Sequence, residues 1–571
     1  MKQRIILALL IVFAGFASCS DDDDVVQIKA PIISGLEKAY TILEDAELEL
    51  TPTIENGKNA TYVWQVDGKE VAKTLDFVFV QSAPGNYKLV LKAGNEGGVA
   101  EQIITVTVVE RGLAPVITDV EEEYNLESGA DLTITPTITS ENETTYAWYM
   151  GDVEVAATLA YTFNNAQVGT HELTFKATNQ GGTTEMVFSI VVTPKDTVLA
   201  AVTHKMIALE IPAYIPADND GVEWKVLEAP SDYYRFSQMN ATSALFVSGV
   251  EGEYHLQVTS GDISGKVKVV VAKAEKAPSA YFANAFDYLP APGQFVNKMP
   301  KYEEGDSHDD MVAKVAKALV GENAGMITLG GWGGYVTMGF DHTIVNVAGK
   351  KDFRIEGNGF PNSSEPGIVM VSYDANENGK PDDEWYEIKG SANFTAENEE
   401  WYQLALDNGN DVKTYRDYQM TYHRPEVETN APLKDYIFWT NNKDKEGYKE
   451  KNSFHRQSYY PLWINDDKIT FSGIRLAENG VDESGQGTYF VLKGFKFGYA
   501  DNHPNRDNGS TFDIDWAVDK EGNKVNLPGI HFVKVQTGVD QENGWIGENS
   551  TEVARGTDLH VKGEIIDTLK K

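Results

Sequence analysis

Tyr87-Lys88-Leu89-Val90-Leu91-Lys92, followed at once by Ala93-Gly94-Asn95-Glu96-Gly97-Gly98, decides the fold of the first third of the chain. Apolar and polar side chains alternate with the two-residue period of a half-buried strand, and the Gly-Gly run then closes a tight turn. Glu47-Leu48-Glu49-Leu50 and Ile103-Ile104-Thr105-Val106-Thr107-Val108 carry the same alternation on either side. Short alternating runs separated by Gly, Asn and Pro turns predict a β-sandwich. The pattern then returns whole: residues 30–110 and 114–194 match without a gap at a constant offset of 84 residues. Thr51-Pro52-Thr53-Ile54 recurs as Thr135-Pro136-Thr137-Ile138, Tyr62-Val63-Trp64 as Tyr146-Ala147-Trp148, and Ala93–Gly98 as Ala177-Thr178-Asn179-Gln180-Gly181-Gly182.

The mid-sandwich tryptophan, the strand opening at Gly85 or Gly169 with an aromatic two residues on, and the Ala-x-Asn-x-Gly-Gly turn together resemble PKD-like domains, an immunoglobulin-like family. The resemblance implies spacer modules, with Trp64 and Trp148 filling the space between two sheets. Residues 197–273 read as a divergent third sandwich. Val222-Glu223-Trp224-Lys225-Val226 matches the tryptophan strand there, and Gly252-Glu253-Tyr254-His255-Leu256-Gln257-Val258 the Gly-x-Tyr strand.

The chain begins with Lys2 and Arg4, an apolar run from Ile5 to Phe13, and Ala17-Ser18 directly before Cys19, its single cysteine. Such a run is too short to span a bilayer, so residues 1–18 read as a removed signal and Cys19 as the acylated first residue of a lipoprotein. Ser20-Asp21-Asp22-Asp23-Asp24 opens an acidic tether over residues 19–29. A cysteine followed by an acidic run resembles the export signal of surface-exposed lipoproteins in the Bacteroidota, which implies the outer face of the outer membrane. A formal charge of −37 repels polyanions, which argues against nucleic acid as a partner. With Cys19 lipidated no thiol remains, which excludes disulfides, thiolate catalysis and cysteine-ligated metal.

From Ala280 the repeat ends and aromatics and glycines become dense. Asp309–Leu319 has Val312, Val315, Ala316 and Leu319 at helical spacing and acids in its first turn, which predicts one helix. Strands are expected at 326–329, 335–340, 352–355, 367–372, 468–471, 491–497 and 530–535. The whole chain is therefore expected to be mostly β: tandem immunoglobulin-like β-sandwiches followed, over residues 280–571, by a jelly-roll-like β-rich domain with one short helix. Gly330-Gly331-Trp332-Gly333-Gly334, Glu365-Pro366-Gly367-Ile368-Val369 and Phe512-Asp513-Ile514-Asp515-Trp516 resemble an uncharacterised family of bacterial cell-surface proteins over roughly residues 325–560. That resemblance implies architecture and location; such proteins often accompany outer-membrane uptake systems.

The sharpest chemical pattern is Asp374-Ala375-Asn376-Glu377-Asn378-Gly379-Lys380-Pro381-Asp382. Oxygens at every second position and glycine at the sixth bend a loop around Ca²⁺, with Asp374, Asn376, Asn378 and Asp382 as side-chain ligands and the Lys380 carbonyl as a backbone ligand. Trp385 stands at the twelfth position, where an EF-hand has its bidentate glutamate, so closure is expected from Asp383, Glu384 or a distant acid such as Asp513. A Ca²⁺ here reads as structural. Nothing marks a nucleophile elbow, and His308, His342, His423, His455, His503 and His531 show no paired zinc spacing. Two carboxylates suffice for glycoside hydrolysis, but abundance of acids singles out no pair.

The C-terminal aromatics fit binding better, since sugars and flat cofactors dock on aromatic faces. Trp332 and Trp545, in glycine-rich loops, are the expected ligand contacts; Trp385 and Trp516 read as buried. The favoured function is non-catalytic capture of a glycan at the cell surface, the repeats serving as a stalk. The alternatives are an accessory protein binding a small cofactor such as a corrinoid for a TonB-dependent receptor, an adhesin, and a glycoside hydrolase.

Overall fold

Strands form where the alternation places them, and the computed structural model describes residues 28–164, 167–215, 221–322 and 325–568. The signal, Cys19 and most of the acidic tether lie outside the described residues. In the first repeat a five-stranded sheet runs Ala39–Leu43, Gly98–Val109, Gly85–Asn95, Thr61–Val66, Lys69–Ala72, with the first pair parallel and the others antiparallel. The second repeat has the same order at the same offset: Glu123–Glu127, Gly182–Thr193, Gly169–Asn179, Thr145–Met150, Val153–Ala156. Trp64 packs among Leu50, Phe79, Leu89, Leu91, Ile104 and Val106, and both repeat tryptophans are fully buried.

The Asn-x-Gly-Gly turn has a physical explanation. Asn95 accepts from the Gly97 N–H (2.9 Å) and donates to the Lys29 carbonyl (3.0 Å), pinning the start of the domain to the turn. Asn179 repeats this with Gly181 (2.7 Å) and Leu113 (2.9 Å). A Cβ on Gly97 would lie 2.0 Å from the Ile28 carbonyl oxygen, so only glycine lets the two segments approach.

The described chain divides into two compact units, the first holding most of residues 28–191 and the second residues 192–568. The second unit opens with a sandwich whose main sheet runs Thr197–Val202, Ile263–Ala272, Gly252–Ser260, Glu223–Glu228, its outer strand again parallel to the last one. Trp224 and Tyr254 sit in its core, as the repeated motifs predict.

The C-terminal domain is built on an antiparallel sheet ordered Asn284–Leu289, Tyr335–Val345, Gly529–Thr537, Gly367–Ser372, Tyr386–Ile388, Ala517–Val518. A smaller sheet of Thr511–Phe512, Phe353–Glu356 and Arg555–Asp558 shares its core. The helix spans His308–Leu319; the Ser307 hydroxyl accepts the Asp310 N–H while the Asp310 carboxylate accepts the Ser307 N–H, closing a capping box. Met311, Val315 and Leu319 seal it into the same core. Two short helices, Tyr402–Asp407 and Leu559–Lys562, add to the single one expected. The strand expected at 491–497 is only Phe490–Leu492, because the chain turns inward at Gly494, whose carbonyl accepts the Trp401 indole N–H (2.9 Å).

A separate four-stranded sheet ordered Glu446–Lys451, Leu433–Asn441, Tyr415–His423, Lys468–Arg475 carries the aromatic-rich segment. Tyr418, Met420 and Tyr422 alternate into a core with Tyr436, Tyr459, Tyr460, Phe471 and Trp332.

Candidate functional site

Trp332 is buried to 1 %, a correction of its expected exposure. The glycines around it permit backbone contact rather than a projecting loop: Cβ atoms on Gly330 and Gly334 would lie 1.9 and 1.8 Å from the carbonyl oxygens of Ala291 and Leu329. The indole is thereby turned inward, where it donates to the Ile474 carbonyl (3.2 Å) and meets Tyr418 edge-on at 4.7 Å between centroids. Trp545 is 58 % exposed, on the turn Gly544–Ile546. Trp385 and Trp516 are half-buried rather than buried, each beneath a lysine: Lys534 Nζ lies 4.9 Å from the first ring and Lys351 Nζ 3.4 Å from the second.

Tyr418 leads to a cleft of about 780 Å³ on the four-stranded sheet. Tyr415, Tyr418, Trp439, Tyr448 and Phe490 supply its aromatic lining, and loops at Asp407–Asp411, Glu478–Gly485 and Asp540–Glu542 supply its polar lining. Trp439 lies across the strand pair from Gly447, whose missing side chain leaves room for the indole. The turn bearing Trp545 follows the Asp540–Glu542 segment, and Gly544 of that turn packs on Phe490.

One buried cation organises the polar side. Arg475 is 3 % exposed; its Nη2 donates to Glu478 at 2.5 Å and its Nη1 stands 3.2 Å from Asp411. Asp540 faces Nε at 4.0 Å and accepts the Tyr418 hydroxyl at 3.0 Å, while Asn441 donates to that hydroxyl at 2.7 Å. Tyr415 donates to Asp411 at 3.0 Å. Nε and Nη1 of Arg475 are buried and are matched by charge, facing Asp540 and Asp411, rather than by well-formed hydrogen bonds. Burial pushes the Glu478 carboxyl up, and Arg475 counteracts that push. Lys449, 5 % exposed, donates to Glu542 at 2.6 Å; burial depresses its ammonium, but Glu542 and Glu548 more than restore it. With Asp411, Glu478, Asp540 and Glu542 each engaged by a cation or a tyrosine, the arrangement is a fixed set of oriented donors and acceptors around aromatic faces.

Elsewhere, the side chains of the loop 374–382 hydrogen-bond to one another and to the loop's own backbone. Asp374 accepts the N–H groups of Asn378 (3.0 Å) and Gly379 (2.8 Å), and Asn378 accepts that of Lys380 (2.7 Å). Asp382 accepts from the amides of Asn376 (3.1 Å) and Asn378 (2.9 Å), and Asp383 folds back onto the Ala375 N–H (3.0 Å). Asp513 takes no part: it is buried, bonded to the Asp515 N–H and to Thr568.

Sequence reasoning does not single out Trp439, Tyr415, Tyr418, Tyr448, Phe490, Arg475 or the cleft acids. The alternation Tyr418-Gln419-Met420-Thr421-Tyr422 was a usable strand signal.

A family model for the PKD-like domain matches residues 33–95. No curated protein matches the chain. Among solved structures the chain is similar to an I-band fragment of titin, at 15% identity over 43% of this chain and 99% of that one, with a TM-score of 0.22. It is similar also to the fibronectin(III)-like modules of Clostridium thermocellum CbhA, at 14% identity over 29% and 94%, again with a TM-score of 0.22. The first repeat is thus PKD-like, and the second copies its strands residue for residue, an immunoglobulin-like tandem consistent with a stalk or adhesion-type extracellular protein.

Proposed function

We propose that the chain is a cell-surface lipoprotein, anchored in the outer membrane through Cys19, whose PKD-like repeats act as a stalk and whose C-terminal domain captures a glycan without turning it over. The observation that carries this reading is the aromatic cleft. Its volume falls within the ordinary range of ligand pockets, roughly 300–1,000 Å³. Its tyrosine and tryptophan faces suit the apolar faces of pyranose rings, and its fixed carboxylates and guanidinium suit ring hydroxyls. Asp411, Glu478 and Glu542 are tied to Arg475 and Lys449, which favours recognition over catalysis by these acids. We also propose that the loop 374–382 holds a structural Ca²⁺ through Asp374, Asn376, Asn378, Asp382 and the Lys380 carbonyl; the reading is supported by the oxygen side chains at every second position and by the bonds of the Asn376 and Asn378 amides to Asp382 and of the Asn378 N–H to Asp374, which keep these residues on one tight turn.

Calorimetric titration of the mature chain with a glycan panel and a corrinoid, with each mixture checked for products, tests the reading. Saturable heat with a glycan, no products, and binding at least about tenfold weaker in Trp439→Ala are expected, equivalent to about 1.4 kcal/mol. Heat with the corrinoid alone would move the function to an accessory role beside a TonB-dependent receptor. Products would make it a glycoside hydrolase, and no heat with either would favour adhesion to a protein partner.

A further inference from the structure

His204, His342 and Asp558 are far apart in sequence, yet a ring nitrogen of each histidine and a carboxylate oxygen of Asp558 lie within 4.8 Å of one another. His204 comes from the third sandwich, the other two from separate strands of the C-terminal domain. We propose that these three residues form a binding site for a divalent transition ion of the zinc class, which staples the third sandwich to the C-terminal domain.

Each residue is prepared for that role. His204 sits at φ +61°, a left-handed conformation uncommon outside glycine, in a turn fixed by its N–H on the Ser248 carbonyl (2.7 Å) and its carbonyl on the Thr343 N–H (2.9 Å). Its Nδ1 is buried without a hydrogen-bond partner. Burial, and then the neighbouring His342, lowers its pKa, whereas the bonds to Asp341 and Asp558 raise that of His342. The two imidazoles meet edge-on at 5.2 Å between centroids.

His342 is 8 % exposed, and its Nδ1 is held by Asp341 at 3.1 Å, the carboxylate–histidine arrangement that orients metal-bound imidazoles. Asp341 is in turn fixed by Lys276 and by the Ser279 N–H, both at 3.0 Å. The other nitrogen, Nε2, faces Asp558 Oδ2 at 2.9 Å. Asp558 spends its Oδ1 on the Val561 N–H (3.0 Å) as the cap of the last helix, which leaves Oδ2 for the ion. Ligands at about 2.1 Å in a tetrahedron stand roughly 3.4 Å apart, so the His342–Asp558 pair need open only slightly while His204 moves in.

Two nitrogens and one oxygen match the open, three-ligand sites typical of zinc, with a fourth position for water. Tyr233, whose hydroxyl is also buried without a partner and held far above its usual pKa by burial, sets its ring edge-on to His204 at 5.5 Å between centroids. A cavity of about 450 Å³ lined by His204, His342, Thr343 and His531 gives the ion a route in. Binding at His342 Nε2 displaces the proton shared with Asp558, so affinity falls as pH drops. The surrounding contacts already join the two parts: Arg235 meets Asp515 at 2.5 Å and Lys205 meets Glu377 at 3.3 Å.

The test uses the full mature chain, stripped with chelator and titrated with Zn²⁺, and with Co²⁺ as a spectroscopic probe, in the wild type, His204→Ala and Asp341→Asn. One ion per chain is expected, with visible Co²⁺ bands of tetrahedral nitrogen ligation and a rise in Tm on adding Zn²⁺. His204→Ala removes the bands and weakens binding more than tenfold; Asp341→Asn, which leaves the backbone of the turn untouched, weakens binding by about 10–100-fold. His204→Ala keeps any response to Ca²⁺, which separates this site from the loop 374–382. Absence of stoichiometric Zn²⁺, or equal affinity in His204→Ala, overturns the proposal.

Discussion

The two N-terminal repeats and the C-terminal domain are made of similar strands but bury different side chains. Among the described residues of the repeats, the buried inventory is hydrophobic apart from Ser128. The C-terminal domain buries Asp352, Glu387, Lys449, Arg475, Asp501, Glu548, Glu552 and Asp558. An apolar core needs only shape and volume, whereas each buried charge must be given a partner or lose several kcal/mol. The contrast separates a part whose cores are apolar from a part that holds oriented polar groups, and both the cleft and the histidine cluster lie in or against the second.

The sharpest way to break this comparison is to remove one central residue from each part. Trp64→Ala empties the core of the first repeat and Arg475→Ala leaves Asp411, Glu478 and Asp540 facing one another; each should cost about 3–5 kcal/mol. The two should differ in what they spare. Denaturant unfolding followed by ligand titration at low temperature should show Trp64→Ala losing one repeat while binding is retained, and Arg475→Ala losing binding outright. Binding that fails in Trp64→Ala would mean that the stalk contributes to the site.

Acidity should act on one part only. Burial raises the Asp352 carboxyl to about 7 and also raises Asp501, Glu548 and Glu552. A carboxyl whose pKa is raised by folding holds its proton longer in the folded state. Its contribution is therefore fully present below the unfolded value of about 4 and is lost as pH climbs through the folded value. The C-terminal thermal transition should accordingly fall between about pH 5 and pH 8, while the repeats, which bury no carboxylate among their described residues, change little. Coincident shifts of both transitions would remove the distinction.

Legibility follows the same division. In the repeats local pattern and global fold agree, so Trp64, Trp148 and the Asn95 and Asn179 turns could be placed from alternation and turn chemistry. The helix His308–Leu319 was legible through its apolar spacing and acidic first turn. Trp332 was not, because flanking glycines signal either a projecting turn or a close backbone approach, and only the neighbouring Ala291 and Leu329 backbone decides between them. Arg475 with Asp411 and Asp540, like His204 with His342 and Asp558, are partners brought together by topology, and no local period marks such pairs.

A smaller effect probes the hinge between the buried aromatics and the cleft. The Tyr418 hydroxyl connects Asp540 and Asn441, so Tyr418→Phe leaves a carboxylate short of a donor, at about 1.5–3 kcal/mol for a hydrogen bond to a charged group. Since the ring and its contact with Trp332 survive, the loss should appear mainly as weaker ligand binding with a modest drop in C-terminal stability. Equal binding in Tyr418→Phe would place the ligand away from this tyrosine, nearer Trp545.

Calcium should give the smallest change, again confined to one side. Asn376, Asn378 and Asp382 are exposed, and the loop is already closed by its own hydrogen bonds, so the ion has little folding left to drive. At a free Ca²⁺ tenfold above Kd, mass action adds only about 1.4 kcal/mol, or roughly 3 °C for a domain of this size. Scanning calorimetry with Ca²⁺ and with chelator should move the C-terminal transition by that amount and leave the repeats in place. Asp374→Asn should abolish the difference, because it removes charge from the ligand that also accepts the Asn378 and Gly379 N–H groups. If Asp374→Asn keeps the full shift, the ion binds at another set of acids, and the loop is a hydrogen-bonded turn that needs no metal to hold its shape.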